Sequence, residues 1–359
     1  MYQASTAEAY VHALIKEISG WQEVEHAKPV DTIFFGGGTP SLLSPMQVDS
    51  ILQAVCDRFE MIGDAEVTLE INPGDGGVTP AERMKTLEEL RLIGVNRASF
   101  GAQTFDDDEL RHLGRTHASD DISRTFRELR DVGFDNVSFD LIAGLPGQTM
   151  ETWSRNLDHA LALKPEHLSL YLLDVHEGTP MADQIQRGQR PKPDEDLAAE
   201  MYELMIERVC AAGYEHYEIS NFCLPGHEAR HNTKYWTGAP YYGFGCSAHS
   251  YDGEFRRWSN ERDAEAYRQM IVAGDSPIVE RIELTERDVQ AESMFLGLRM
   301  MRGLNMREVG LRVGRDPRAG HEEDLTRFRD AGLIEIDGDL LRLTRSGALL
   351  SNEVFAAFI

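Results

Sequence analysis

An α/β fold is what this sequence predicts: a parallel sheet with helices outside it, followed by a smaller helical module. Three observations carry that expectation. Short apolar, β-branched runs alternate with amphipathic helical stretches over residues 10–219, the pattern of βα units packed around a parallel sheet. The strands end on Gly36, Glu70, Gln103, Asp140 and Asp174, spaced 33–37 residues apart, one βα unit each. The first strand runs straight into Gly36-Gly37-Gly38-Thr39-Pro40, where chain without Cβ atoms can turn sharply and approach a ligand.

Taken in order, Tyr10, Leu14, Ile18 and Trp21 recur at helical spacing and open the chain with an amphipathic helix. Residues 32–35 form the first strand, and Pro40 prevents its continuation. A helix over 45–59 leads to a strand at 66–71 that ends on Asn72-Pro73. A helix at 80–93 precedes a strand at 97–100, and a short helix at 106–113 precedes a longer one at 121–132. The strand at 136–142, the helix at 150–163 and the strand at 167–173 continue the alternation, and 214–219 is the last strand of this kind. Polar residues at the ends of successive parallel strands converge at one mouth, where such folds place their sites. Acidic residues there also serve as plain helix caps. Glu70 is distinguished because its carboxylate lies in an apolar strand and needs a partner.

Past 225 the character changes. Residues 229–251, ARHNTKYWTGAPYYGFGCSAHSY, crowd histidines, rings and glycines into one stretch. That composition suits a flat aromatic ligand, and equally a plug of large rings closing one end of a barrel. Residues 287–302, 305–313 and 322–331 read as helices, and Asp337-Gly338-Asp339 as a hairpin turn before a last helix from 346. Three helices and a hairpin resemble a winged-helix module. The expected division is 1–225 for the partial barrel, 226–281 for the aromatic region and 282–359 for the C-terminal module.

Composition excludes several classes. The 359 residues are 42% hydrophobic, ample for a core, and carry a formal net charge of −25. Such acidity argues against nucleic acid and against anionic lipid as partners. No apolar run approaches the roughly 20 residues of a membrane span, and no basic-then-apolar leader opens the chain, so an integral membrane protein is not expected. Cys56, Cys210, Cys223 and Cys246 lie far apart with no CxxC or CxxxC pair, which fits a reducing cytoplasm rather than a disulfide framework or zinc site.

Several motifs occur together in a fixed order: FFGGGTPSLL, E-x-NPG at 70–74, SFGAQTF with LGRTH behind it, DLIAGLPGQT, HLSLYLLDVHEGTP, HNTKYW and LTRSGALLSN. On these the chain resembles radical S-adenosylmethionine proteins of the oxygen-independent coproporphyrinogen III oxidase-like family, in their heme-chaperone branch, from about residue 6 to its end. The resemblance implies a partial (β/α)6 radical-SAM-type barrel missing its first strand, plus the small helical, winged-helix-like module. It implies that Gly36, Gly37, Gly38 and Thr39 hold the methionyl amino and carboxylate groups of S-adenosylmethionine. Glu70 would bind the ammonium or ribose, and Gln103, Arg115 and Asp140 would line the same pocket, Arg115 as the carboxylate partner. The His231-Asn232-x-x-Tyr235-Trp236 motif is associated in that branch with heme. His231 is the expected iron ligand beside Tyr235 and Trp236, and the Cys246/His249 pair is a second option.

The family also carries CxxxCxxC after its first barrel strand, where three thiolates hold a 4Fe–4S cluster. No such motif occurs in these 359 residues. A chain shortened at its N-terminus and a true cluster-free homologue both account for that, and shortening is favoured because loss of the first strand exposes the edge at 32–35. The leading expectation is a cytoplasmic heme chaperone that delivers heme to a membrane-associated cytochrome or respiratory complex. A coproporphyrinogen-oxidizing enzyme of porphyrin biosynthesis is the first alternative, with HNTKYW and the missing cluster ligands against it. A cluster-free S-adenosylmethionine-binding scaffold is the second.

Overall fold

A computed structural model describes residues 4–22, 29–74 and 78–359. Its main sheet has seven strands: β1 Val30–Phe35, β2 Met61–Glu70, β3 Arg97–Gln103, β4 Val137–Ala143, β5 His167–Leu172, β6 Glu215–Glu218 and β7 Asn221–Cys223. They lie in the order β1-β2-β3-β4-β5-β7-β6. The pairs β2–β3, β3–β4 and β4–β5 are parallel, as the alternation of strands and helices requires. β4 reads VSFDLIA because a strand covered on both faces is apolar almost throughout. Phe139 at its centre meets Phe100 and Phe126 edge-on at 4.5 and 5.3 Å between ring centres.

The helices begin where the sequence supplies caps. Ser44 and Gln47 close a capping box ahead of Pro45–Arg58, and Thr79 and Glu82 do the same ahead of Pro80–Leu92. Met150–Leu163 buries Trp153, whose indole N–H donates to the Met201 carbonyl at 3.1 Å.

Several details differ from expectation, and the helix expected over 287–302 ends at Gly297. β7 lies beyond the last strand expected at 214–219, pairing antiparallel with both β5 and β6, and a strand of three residues is too short to leave a periodic signal. Asp140 stands within β4, not at its end, since the strand runs on to Ala143. The final helix is two, Arg345–Leu349 and Ser351–Phe355, with Leu350 between them.

The chain divides into two compact units. The first comprises 1–33, 42–66 and 230–359, and the second 34–41 and 67–229. In the first unit, β8 His249–Tyr251, β9 Arg256–Asn260 and β10 Ile278–Glu283 form an antiparallel sheet in the order β10-β9-β8. The C-terminal part of that unit sets the helices Glu286–Gly297, Met306–Val313 and Glu322–Asp330 beside a second antiparallel sheet. That sheet holds β11 Leu304–Asn305, β12 Ile334–Asp337 and β13 Leu340–Leu343, with Gly338 at φ 60° in the Asp-Gly turn.

Candidate functional site

The second unit gathers the residues expected for S-adenosylmethionine. Gly36, Gly37 and Gly38 leave the end of β1 exposed, with φ at 77° for Gly37 and 76° for Gly38. A Cβ on Gly36 would stand 2.3 Å from the Phe34 ring and 3.2 Å from the Glu70 carboxylate, so only glycine fits. Glu70, at the end of β2, accepts the Gly37 N–H, and burial still pushes its carboxyl above the ordinary range. Asn72 donates to the Thr39 hydroxyl at 3.4 Å, and its backbone N–H donates to Ser41 at 3.4 Å. The E-x-NPG motif therefore braces the glycine turn.

At the end of β3, Gln103 takes the left-handed φ of 65°. Its amide folds back over Gly101, where a Cβ would lie 2.2 Å from Nε2 and 4.0 Å from Arg115 Nη2. Asp140 is pushed up to about 6 by burial, although the Ser169 hydroxyl and the charges of Arg97 and Arg115 pull the other way; Glu70 adds repulsion. Two further groups here were not legible in the sequence. Buried Arg97 keeps its Nε, and buried His117 its Nε2, without a hydrogen-bond partner among the described residues. Two under-neutralised carboxylates, an exposed guanidinium and the spare Arg97 N–H donor suit a zwitterionic amino-acid head group.

The cysteines do not assemble a cluster. Cys56 and Cys210 are exposed, Cys223 is buried with its thiol pushed up to about 12, and Cys246 is half-buried. Among the described residues no group of three or more His, Cys, Asp or Glu side chains could hold a metal ion.

The first unit carries the HNTKYW motif on the helix Arg230–Thr237. Glu66 of β2 caps that helix, accepting the Arg230 and His231 N–H groups at 3.0 Å each. The His231 ring is held at both nitrogens: Nδ1 lies 3.0 Å from the Thr32 hydroxyl and Nε2 2.9 Å from the Tyr235 hydroxyl. Burial pushes Tyr235 up to about 12. Lys234 pairs with Asp31 at 2.6 Å, and Trp236 stacks under Arg299 at 4.3 Å while its indole N–H finds no hydrogen-bond partner among the described residues.

The aromatic stretch serves two purposes. Tyr242 and Phe244 pack with Trp21, which stacks on Trp258 at 5.9 Å, so these rings build core. Tyr241 meets Tyr235 edge-on at 4.7 Å. Cys246 is engaged by Tyr10, and His249 is exposed at the start of β8.

A family model described as the Radical SAM superfamily matches residues 9–160, and one described as the HemN C-terminal domain matches 284–350. A protein of Bacillus subtilis named heme chaperone HemW is 36% identical over 358 residues, 99% of this chain and 93% of its own. A protein of the same name from Synechocystis is 37% identical over 335 residues, 92% of this chain and 78% of its own. Among solved structures, coproporphyrinogen III oxidase (HemN) from Escherichia coli superimposes with a TM-score of 0.82 over all of this chain and 85% of its own, at 23% identity. That last likeness is one of fold.

Proposed function

This chain belongs to the HemW heme-chaperone family of radical S-adenosylmethionine proteins, and from that premise we propose that it binds heme at the helix Arg230–Thr237 and delivers it to a membrane-associated respiratory hemoprotein. The observation that carries the reading is the setting of His231. Glu66 fixes its backbone, and the Thr32 hydroxyl orients its ring through Nδ1. Nε2, whose partner is the hydroxyl of a tyrosine on the same helix, is the nitrogen that would take heme iron. Tyr235 and Trp236 supply rings beside it.

In the second unit, Glu70 and Asp140 would hold the ammonium of S-adenosylmethionine and Arg115 its carboxylate, with the glycine turn letting the backbone approach. When bound, that cofactor is the superfamily's source of a carbon radical. The oxidase reading rests on likeness of fold, whereas the Bacillus subtilis relative, matched over 99% of this chain, is a heme chaperone by name. A cytoplasmic site of action completes the proposal, and no helix among the described residues is long and apolar enough to cross a membrane.

The test is a heme titration followed through the Soret band on wild type, His231→Ala and Cys246→Ala. Wild type and Cys246→Ala should bind alike, and His231→Ala should change the spectrum and lose about ten-fold or more in affinity. An unaltered His231→Ala titration would reject His231 as the ligand, and no heme binding by wild type would reject the function.

A further inference from the structure

Beside the helix Arg230–Thr237 the first unit contains a cavity of about 220 Å³. Its polar lining includes Tyr235, Tyr241, Tyr251, Arg257, Glu292 and Arg312. Two guanidinium groups against one carboxylate, with Lys234 also on the lining but paired to Asp31, make it positive, in a chain whose formal net charge is −25.

The cations are set in place by their neighbours. Arg312 Nη2 donates to the Tyr251 hydroxyl at 2.5 Å and to the Gly253 carbonyl at 2.8 Å. A Cβ on Gly238 would stand 2.6 Å from Arg312 Nη1, so the glycine makes room for that guanidinium. Arg257 lies 5.0 Å over the Tyr251 ring and donates through Nη2 to Glu292 at 2.6 Å. Its buried Nε has no hydrogen-bond partner among the described residues. A guanidinium with a spare donor is suited to a second carboxylate.

Size narrows the ligand. Cavities that enclose a whole drug-sized molecule run to roughly 300–1,000 Å³. This one is smaller and admits the edge of a larger molecule. Tyr235 joins it to the proposed heme site, since its ring lines the cavity and its hydroxyl meets His231 Nε2. Heme is a flat apolar ring with two carboxylates on one edge.

We infer that this cavity receives the heme propionates, with Arg257 and Arg312 as their partners and Glu292 as the carboxylate they displace from Arg257. The inference rests on the heme reading above and adds to it a means of orienting the porphyrin. It also predicts discrimination against porphyrins whose carboxylates are masked.

The 359-residue chain is titrated with hemin and with hemin dimethyl ester, as wild type, Arg257→Gln, Arg312→Gln, Glu292→Gln and Arg256→Gln. Arg256 is the exposed neighbour of Arg257 on β9, paired with Asp252, and controls for loss of one surface charge. Hemin should bind wild type about ten-fold or more tighter than the ester, the scale of a hydrogen bond to a charged group. The Arg257 and Arg312 variants should lose that margin for hemin and leave ester binding unchanged. Glu292→Gln should tighten hemin, and Arg256→Gln should change neither ligand.

Equal wild-type affinity for hemin and ester would overturn the inference while leaving heme binding intact. So would arginine variants that weaken both ligands alike, or a Glu292→Gln that weakens hemin. Wild type binding neither ligand would bring down the heme reading and this inference with it. Should Arg312→Gln lower the melting temperature, the comparison of hemin with ester on wild type needs no variant and still decides.

Discussion

Asp140, proposed to hold S-adenosylmethionine, lowers stability at neutral pH. Burial holds its carboxyl at about 6 against an ordinary 3.8, so the folded state binds its proton more tightly than the unfolded state does. Its contribution to stability is full below the unfolded value and is lost as pH rises through about 6. Asp140→Asn removes the charge and should stabilise the protein by about 1–3 kcal/mol at pH 7, with the gain gone near pH 4. Melting curves of both proteins from pH 4 to 8 check this, and a destabilised variant at pH 7 would contradict it. The same change should weaken S-adenosylmethionine binding. Gly36, Glu70 and Gln103 were legible because glycines and polar residues stand out where apolar strands end. Arg97 and Ser169 were not, because their approach to Asp140 depends on register between strands distant in sequence.

At the scale of the element, the helix Arg230–Thr237 has eight residues and is too short to be stable alone. Glu66 supplies its N-terminal cap from a strand 164 residues earlier. Glu66→Ala leaves two backbone N–H groups without that acceptor and should cost about 1–3 kcal/mol. The loss should appear as faster amide exchange at Arg230 and His231 and weaker heme binding, and unchanged exchange at those amides would refute the capping role. The sequence showed the ring-rich motif but not this cap, since a carboxylate in an alternating strand gives no sign of its partner. The long helices were legible from their caps and periodicity, with Met150–Leu163 bounded as expected. β7 was hidden by its length, and the cavity arginines by their spread over 55 residues between Arg257 and Arg312.

For the whole molecule, the residues proposed to hold S-adenosylmethionine fall in one unit and those proposed for heme in the other. The α/β radical SAM fold was legible because strict alternation of strand and helix permits few architectures. The heme-chaperone family was legible only through the order of the motifs, because composition alone equally described a plug of aromatic side chains. The proposed function requires that heme bound at the helix Arg230–Thr237 be delivered and not merely stored. Its most direct measurement is transfer: heme-loaded protein is mixed with membranes bearing a heme-depleted respiratory cytochrome, and with apomyoglobin as a passive acceptor. Appearance of the cytochrome spectrum faster than the apomyoglobin signal, and abolished in His231→Ala, is the predicted result. Equal rates to both acceptors, set by simple dissociation of heme, would contradict the account.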